Sequence, residues 1–356
     1  MQSTPEGKNL LQVIEVFGFE TSSVEIIPIS NGLINSTYKV SNNKTSILLQ
    51  KLNRKVFAAP REIVQNYNKI YSFLKKENNY FLPEPVKTVD RNLCFSDADG
   101  NCWRAFVFIN DTHTPETPQH TEDAYHASFC FGNFTRHLAG FDSADLKIII
   151  PQFHDLAFRY QQFTEAVTND RVGRKERIKS EIDVLIKKNK LVDFYRHIIT
   201  GPGFKLRVMH HDAKISNILF DNKTNKVVCP VDLDTTQAGY YFSDLGDMIR
   251  SMACSHPENS IEFSQLSIRA DFYTSIIDAY LSALQDELTT EEIKNIHYTG
   301  LLMIYMQTLR FMTDYLNGDI YYRIDYPEQN FDRARNQLIL LQNLEEFLVT
   351  NYNFKV

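Results

Sequence analysis

The residues best placed to do chemistry lie in one stretch, His210-His211-Asp212-Ala213-Lys214-Ile215-Ser216-Asn217-Ile218-Leu219-Phe220. Fifteen positions after Asn217 comes Asp232, in Val231-Asp232-Leu233-Asp234. A histidine two residues before an aspartate, an asparagine five after it and a later strand ending in a second aspartate together suit phosphoryl transfer. That reaction needs a carboxylate to accept a hydrogen bond from the attacking hydroxyl and hold it in line with the γ-phosphorus, and Asp212 on a loop can supply one. It also needs Mg²⁺, a hard cation that takes oxygen ligands, for which the Asn217 amide oxygen and the Asp232 carboxylate are suited. Lys214 carries an ammonium able to reach the transferring phosphoryl and offset the charge developing on its oxygens. His210 reads as a buried imidazole hydrogen-bonded to the loop backbone, and His211 either as structural or as a proton shuttle.

The elements that must position these residues fall into two groups. Val24–Ile29, Thr37–Val40 and Ser46–Leu52 are short apolar or β-branched runs separated by turn material, which predicts an antiparallel meander. In Glu62–Lys76 the apolar Ile63, Tyr67, Ile70, Tyr71 and Leu74 fall on one helical stripe, and further strands are expected near Val86–Val89 and Cys102–Ile109. A polar stretch, Asp111–Thr121, then leads into helical periodicity over Asp123–Leu138, Asp155–Thr168, Arg174–Ile199, Ile261–Leu284, Thr290–Leu316 and Gln329–Val349. Short strands at Arg207–Met209, Asn217–Phe220 and Lys226–Val231 interrupt it. The expected architecture is α+β: residues 1–110 form a small β-rich lobe and residues 111–356 a larger helical lobe that carries the chemistry.

Composition narrows the partners. With 356 residues, 43% hydrophobic and 23% charged, the chain is long enough for a globular protein of two such lobes. Its 44 acidic against 38 basic residues argue against a nucleic-acid binder, which needs a basic surface. No run of 18 apolar residues and no signal-peptide pattern occurs, so no membrane partner and a cytoplasmic location are expected. Five cysteines at wide, irregular spacing suit neither a zinc site nor a disulfide framework and read as reduced thiols. Glycine is scarce, 13 residues, and neither a Walker A motif nor GxGxxG is present. A phosphate cradle at Ser30–Thr37 would therefore rest on the single Gly32 with Ser, Asn and Thr donors, chiefly Asn31, Asn35 and Thr37.

Together with Asn31-Gly32-Leu33-Ile34-Asn35-Ser36-Thr37-Tyr38, Phe153-His154-Asp155, Asp244-Leu245-Gly246-Asp247-Met248-Ile249-Arg250 and the tail from Arg310-Phe311 through Asp314-Tyr315-Leu316-Asn317-Gly318-Asp319-Ile320-Tyr321, the catalytic stretch resembles the aminoglycoside phosphotransferase and choline kinase superfamily. The tail in particular is similar to sugar kinases of the N-acetylhexosamine 1-kinase type. The resemblance implies a protein-kinase-like bilobal fold, ATP and Mg²⁺ as cofactors, and a monomer or homodimer acting on a small-molecule sugar, GlcNAc or GalNAc, at its anomeric hydroxyl. It implies Asp212 as catalytic base or hydroxyl-orienting carboxylate, Asn217 and Asp232 as magnesium ligands, and Asp244 as a brace for the loop. Arg310 and Tyr321 would line the sugar pocket, with Arg250 and Leu33 in its wall.

One departure stands out. The family usually places a Lys or Arg on the third strand to hold the α- and β-phosphates, and here Gln50 stands there, with Lys51 facing the opposite way. The following helix has Asn66 and Asn68 where an ion-pair Glu is expected, so both partners are absent together and no orphan charge is left. Two alternatives follow: an aminoglycoside, choline or other amino-alcohol phosphotransferase, or a catalytically silent kinase-fold binding module.

Overall fold

The computed structural model describes residues 5–29, 34–78 and 80–355. In chain order the elements run α1 (Pro5–Val16), β1 (Glu25–Ile29), β2 (Ser36–Ser41), β3 (Ser46–Lys51), α2 (Pro60–Phe73), β4 (Pro85–Val86), β5 (Phe95–Ser96), β6 (Cys102–Val107), β7 (Thr112–His113), α3 (Thr121–His137) and α4 (Leu156–Asn169). There follow α5 (Lys179–Lys187), α6 (Lys190–Thr200), β8 (Arg207–Met209), β9 (Ile218–Asp221), β10 (Val227–Pro230), β11 (Gln237–Gly239), α7 (Phe242–Met252), α8 (Ala270–Leu284), α9 (Thr290–Lys294), α10 (Tyr298–Leu316) and α11 (Gln329–Tyr352). Two compact units result. The first comprises residues 1–113, 140–151 and 219–237, and the second 114–139, 152–218 and 238–356, so the chain passes between them several times where the sequence reading cuts it once.

The first unit is built on the antiparallel sheet β1-β2-β3-β6-β4, with β5 paired to β6. Its alternation sorts the side chains. Val40, Ile47, Leu49, Trp103 and Ala105 share one face and pack with Leu10, Val13, Ile14 and Phe17 of α1. Lys51 lies on that face, its ammonium 5.7 Å from the Trp103 ring centre. On the other face the register Thr37↔Gln50↔Arg104 sets one polar row across three strands. Asn66 of α2 is 2% exposed and spends its whole amide on Lys147, donating to the carbonyl at 2.8 Å and accepting from the N–H at 2.9 Å. That clasp ties residues 140–151 into this unit. β7 lies inside the polar stretch read as a connector and pairs with β9.

In the second unit α10 is buried along nearly its whole length and packs against α11, α7 and α4. α7 and α10 come close enough that a Cβ on Gly246 would lie within 2.7 Å of Met303 Cβ, which is why that position is glycine. Three helices expected as continuous are shorter or broken. Arg174–Ile199 becomes a 3₁₀ turn, α5 and α6, with the break at Lys188–Asn189, because the buried positions before it (Ile178, Ile182, Leu185) and after it (Leu191, Val192, Tyr195, Ile198) lie on stripes of different phase. Thr290–Leu316 breaks between α9 and α10, and Ile261–Leu284 is helical only from Ala270 apart from a short 3₁₀ turn. α7 was not expected as a helix: it is buried on almost every face, so it carries no amphipathic period. Among the described residues no helix is long and apolar enough to cross a membrane, and none of the five cysteines is in a disulfide, four of them being buried.

Candidate active site

In the second unit β8 leads into the loop that carries Asp212, Lys214 and Asn217. Two successive backbone N–H groups of that loop donate to one buried carboxylate on the first turn of α7: His211 N to Asp244 Oδ1 at 2.7 Å and His210 N to Asp244 Oδ2 at 2.9 Å. Burial pushes the Asp244 carboxyl up to about 7, against the pull of these two amides. His211 takes a left-handed backbone, φ 65°, a costly geometry for a side-chain-bearing residue, and its ring bonds to the Met209 carbonyl at 3.0 Å. Burial drives the His211 ring down to about 4, so it is neutral at ordinary pH and poorly suited to shuttling protons. His210 is fully buried, its ring edge-on to Phe131 at 5.0 Å, in keeping with a structural role.

Asp212 retains 31% of its side-chain surface and is gripped by its neighbours: Lys214 Nζ stands 3.0 Å from Oδ2, and Asn217 Nδ2 donates to the same oxygen at 2.8 Å. Burial works against ionisation, but Lys214, the His210 ring and the Asn217 amide together hold the carboxyl below its ordinary value. Asn217 Nδ2 also donates to the Asp212 carbonyl at 2.9 Å. Two acceptors on one side require the NH₂ there, so the Asn217 Oδ1 faces away and remains available to a hard cation. Sequence reasoning thus chose three residues that the fold does bring together.

The tail residues of the same unit form a second group. Arg310 lies over Phe153 and Tyr322, 5.3 and 5.6 Å from their ring centres, and donates to Gln307 at 3.0 Å. Tyr321 is 64% exposed, so the aromatic that meets Arg310 is Tyr322. Arg159, which the sequence did not single out, is held by Gln162 and the Phe153 carbonyl; burial, with Arg310 nearby, lowers it to about 10. Among the described residues neither Arg159 nor Arg310 makes an ion pair. His154 beside them is pressed well below its ordinary value by burial, then by His211 and Arg310, and its Nδ1 finds no partner among the described residues. Arg250 differs. It bonds to Asp247 at 2.9 Å and Glu258 at 2.7 Å, so its fork is already occupied. Asp314 anchors the turn beneath Tyr321 and Tyr322, accepting from Ile320 N, Tyr321 N, Tyr322 N and Asn330 Nδ2 at 2.8–3.0 Å.

In the first unit Asn31, Gly32 and Leu33 lie outside the described residues. Asn35 is a clasp, accepting from Asn53 N at 3.0 Å and donating to Asp234 Oδ2 at 2.8 Å. Gln50 bridges two neighbours: its Nε2 donates to Thr37 Oγ1 at 3.2 Å, and its Oε1 accepts from Arg104 Nε at 3.0 Å. Arg104 in turn meets Asp234 at 2.6 Å, both side chains 3–4% exposed. Asp232 is exposed, with φ 58°, at the start of a short 3₁₀ turn. The first unit therefore holds a buried cation that sequence reasoning missed. Its one signal is a charge in the middle of the apolar strand Cys102-Trp103-Arg104-Ala105-Phe106-Val107.

A family model described as phosphotransferase enzyme family (APH) matches residues 25–284. Among solved structures, the chain is similar to a microcompartment-associated aminopropanol kinase (15% identity, 96% of this chain and 97% of that one, TM-score 0.62). It is also similar to an aminoglycoside phosphotransferase from Alicyclobacillus acidocaldarius (11%, 96% and 95%, 0.65) and to a choline kinase from Cryptosporidium parvum (14%, 97% and 97%, 0.55). At such identities the likeness speaks for the fold, and the expected α+β, protein-kinase-like class is borne out.

Proposed function

The chain belongs to the phosphotransferase enzyme family and is a small-molecule phosphotransferase acting on hydroxyl groups, and on that premise we propose that it uses Mg²⁺ and ATP to phosphorylate the anomeric hydroxyl of an N-acetylhexosamine. The observation that carries this reading is the pair Arg159 and Arg310, two guanidiniums without carboxylate partners among the described residues, beside the neutral His154 and Tyr322. Nearby Asp155 is committed to capping α4, accepting from Phe158 N at 2.9 Å. Such a lining repels an ammonium and offers planar donors to the hydroxyl and amide oxygens of a neutral sugar. A cationic acceptor would instead want carboxylates or an aromatic box.

In this reading the ionised Asp212 accepts a hydrogen bond from the sugar hydroxyl and holds its oxygen toward the γ-phosphorus. The oxygen–phosphorus bond forms as the bond to the bridging oxygen of ADP breaks, and the hydroxyl proton passes to Asp212. Lys214 then exchanges its contact with Asp212 for the phosphoryl oxygens. Asn217 Oδ1 and the Asp232 carboxylate are the oxygens we assign to magnesium, which neutralises phosphate charge when bound. Thr37 is assigned to the nucleotide with Gln50 and Asn35 as its support, Arg310 and Tyr321 to the sugar, and Arg250 to the support of that wall.

The second reading is an amino-alcohol or aminoglycoside phosphotransferase, the activity in the names of the similar structures. An ADP-release assay across GlcNAc, GalNAc, choline, ethanolamine, aminopropanol and kanamycin, with the product bond assigned by phosphorus NMR, separates the two. Turnover on choline or kanamycin without turnover on either hexosamine overturns the sugar reading, and no turnover on any acceptor favours a silent binding module. Asp212→Asn should lower kcat by about 10²–10⁴; activity within a fewfold of the parent would remove Asp212 from its role.

A further inference from the structure

We propose that Arg104 is the positioning residue of the nucleotide grip, fixing Gln50 so that the Thr37 hydroxyl is presented as a donor to the phosphate oxygens of a nucleoside di- or triphosphate. This rests on the kinase reading above and concerns how phosphates are held where the strand cation is absent. Thr37, Gln50 and Arg104 occupy one row of the sheet on neighbouring strands. Arg104 Nε can only donate, so the atom of Gln50 it meets at 3.0 Å must be Oε1, and this turns Nε2 toward Thr37 at 3.2 Å. Thr37 Oγ1 then accepts from Gln50, and its own O–H is left to donate outward from a half-buried position. Each bond in such a chain polarises the next. Asp234 fixes the far end: it meets Arg104 at 2.6 Å and is itself clasped by Asn35 at 2.8 Å.

The ion pair is neutral overall, so an oriented dipole and not a net charge reaches Thr37. Arg104 Nη1 has no hydrogen-bond partner among the described residues.

Calorimetric titration with Mg·ADP, alongside steady-state kinetics, tests the relay. Thr37→Val removes the donor without disturbing the ion pair, and should weaken Mg·ADP about tenfold and raise KM for ATP alike, with acceptor KM and thermal midpoint within error of the parent. Thr37→Ser should restore affinity. Gln50→Glu still accepts from Arg104 but cannot donate to Thr37, so it should lose affinity as Thr37→Val does while remaining folded. Parent-like Mg·ADP affinity in folded Thr37→Val or Gln50→Glu overturns the relay. A parent that turns over no acceptor and binds no Mg·ADP overturns the kinase reading instead, and the relay with it.

Discussion

Asp244→Asn sets burial against hydrogen bonding in one measurement. The carboxyl lies 2.7 Å from His211 N and 2.9 Å from His210 N and is fully buried. Burial raises it from the ordinary 3.8 to about 7, the two amides oppose the rise, and Asp247 and Asp212 add to it. A group raised in this way keeps its proton in the folded state after the unfolded chain has released it. Its stabilising contribution is therefore complete below pH 3.8 and is lost as pH rises through 7. Between pH 5 and pH 8 the loss amounts to about 2.5 kcal/mol. Asn cannot titrate and offers one acceptor to two amides, leaving one N–H against its own NH₂ at a pH-independent cost of about 1–3 kcal/mol. The variant's deficit should thus be largest at pH 5 and shrink by about 2.5 kcal/mol by pH 8. Parallel urea unfolding of parent and variant at pH 5, 6, 7 and 8 measures the difference, in which the other titrating groups cancel. A deficit unchanged from pH 5 to pH 8 would refute the reasoning, because it would mean the two amides win and Asp244 is ionised throughout.

Gly246→Ala places a Cβ within 2.7 Å of Met303 Cβ and closer still to the Thr299 carbonyl oxygen, so the α7–α10 contact must open at a cost of about 1–3 kcal/mol; an unchanged thermal midpoint would show slack in that contact. Asp314→Asn turns one of two acceptor oxygens into a donor facing donors. Hydrogen exchange should quicken at residues 320–322 and acceptor KM should rise with KM for ATP unchanged; exchange as slow as the parent's would show that Asp314 is not what holds the turn.

The legible parts of this molecule were those with a local signature. The β1–β2–β3 meander, α2, β6 and α11 lie close to where alternation and helical stripes put them. Asp212, Lys214 and Asn217 could be chosen because a short loop fixes their spacing, and the structure joins them through hydrogen bonds among themselves. What stayed hidden depends on chain-distant partners. No pattern around Asn66 announces that its amide reads the Lys147 backbone 81 positions away, and nothing around Arg159 distinguishes it from a surface arginine. Arg250, chosen from its motif, turned out to be matched to Asp247 and Glu258.

The absent Lys–Glu pair shows why such losses have to be judged in three dimensions. A lysine at position 50 would stand beside the Arg104 guanidinium, which Gln50 Oε1 meets at 3.0 Å. It would then be a half-buried cation without its partner, an expensive arrangement. An arginine one strand over, at position 104, instead reaches Asp234, and Gln50 fits between that cation and Thr37 as a neutral group with an acceptor at one side and a donor at the other. In this sheet the buried ion pair thus lies between β6 and the segment after β10. Helix α2 carries no carboxylate toward that pair and through Asn66 holds residues 140–151 in place.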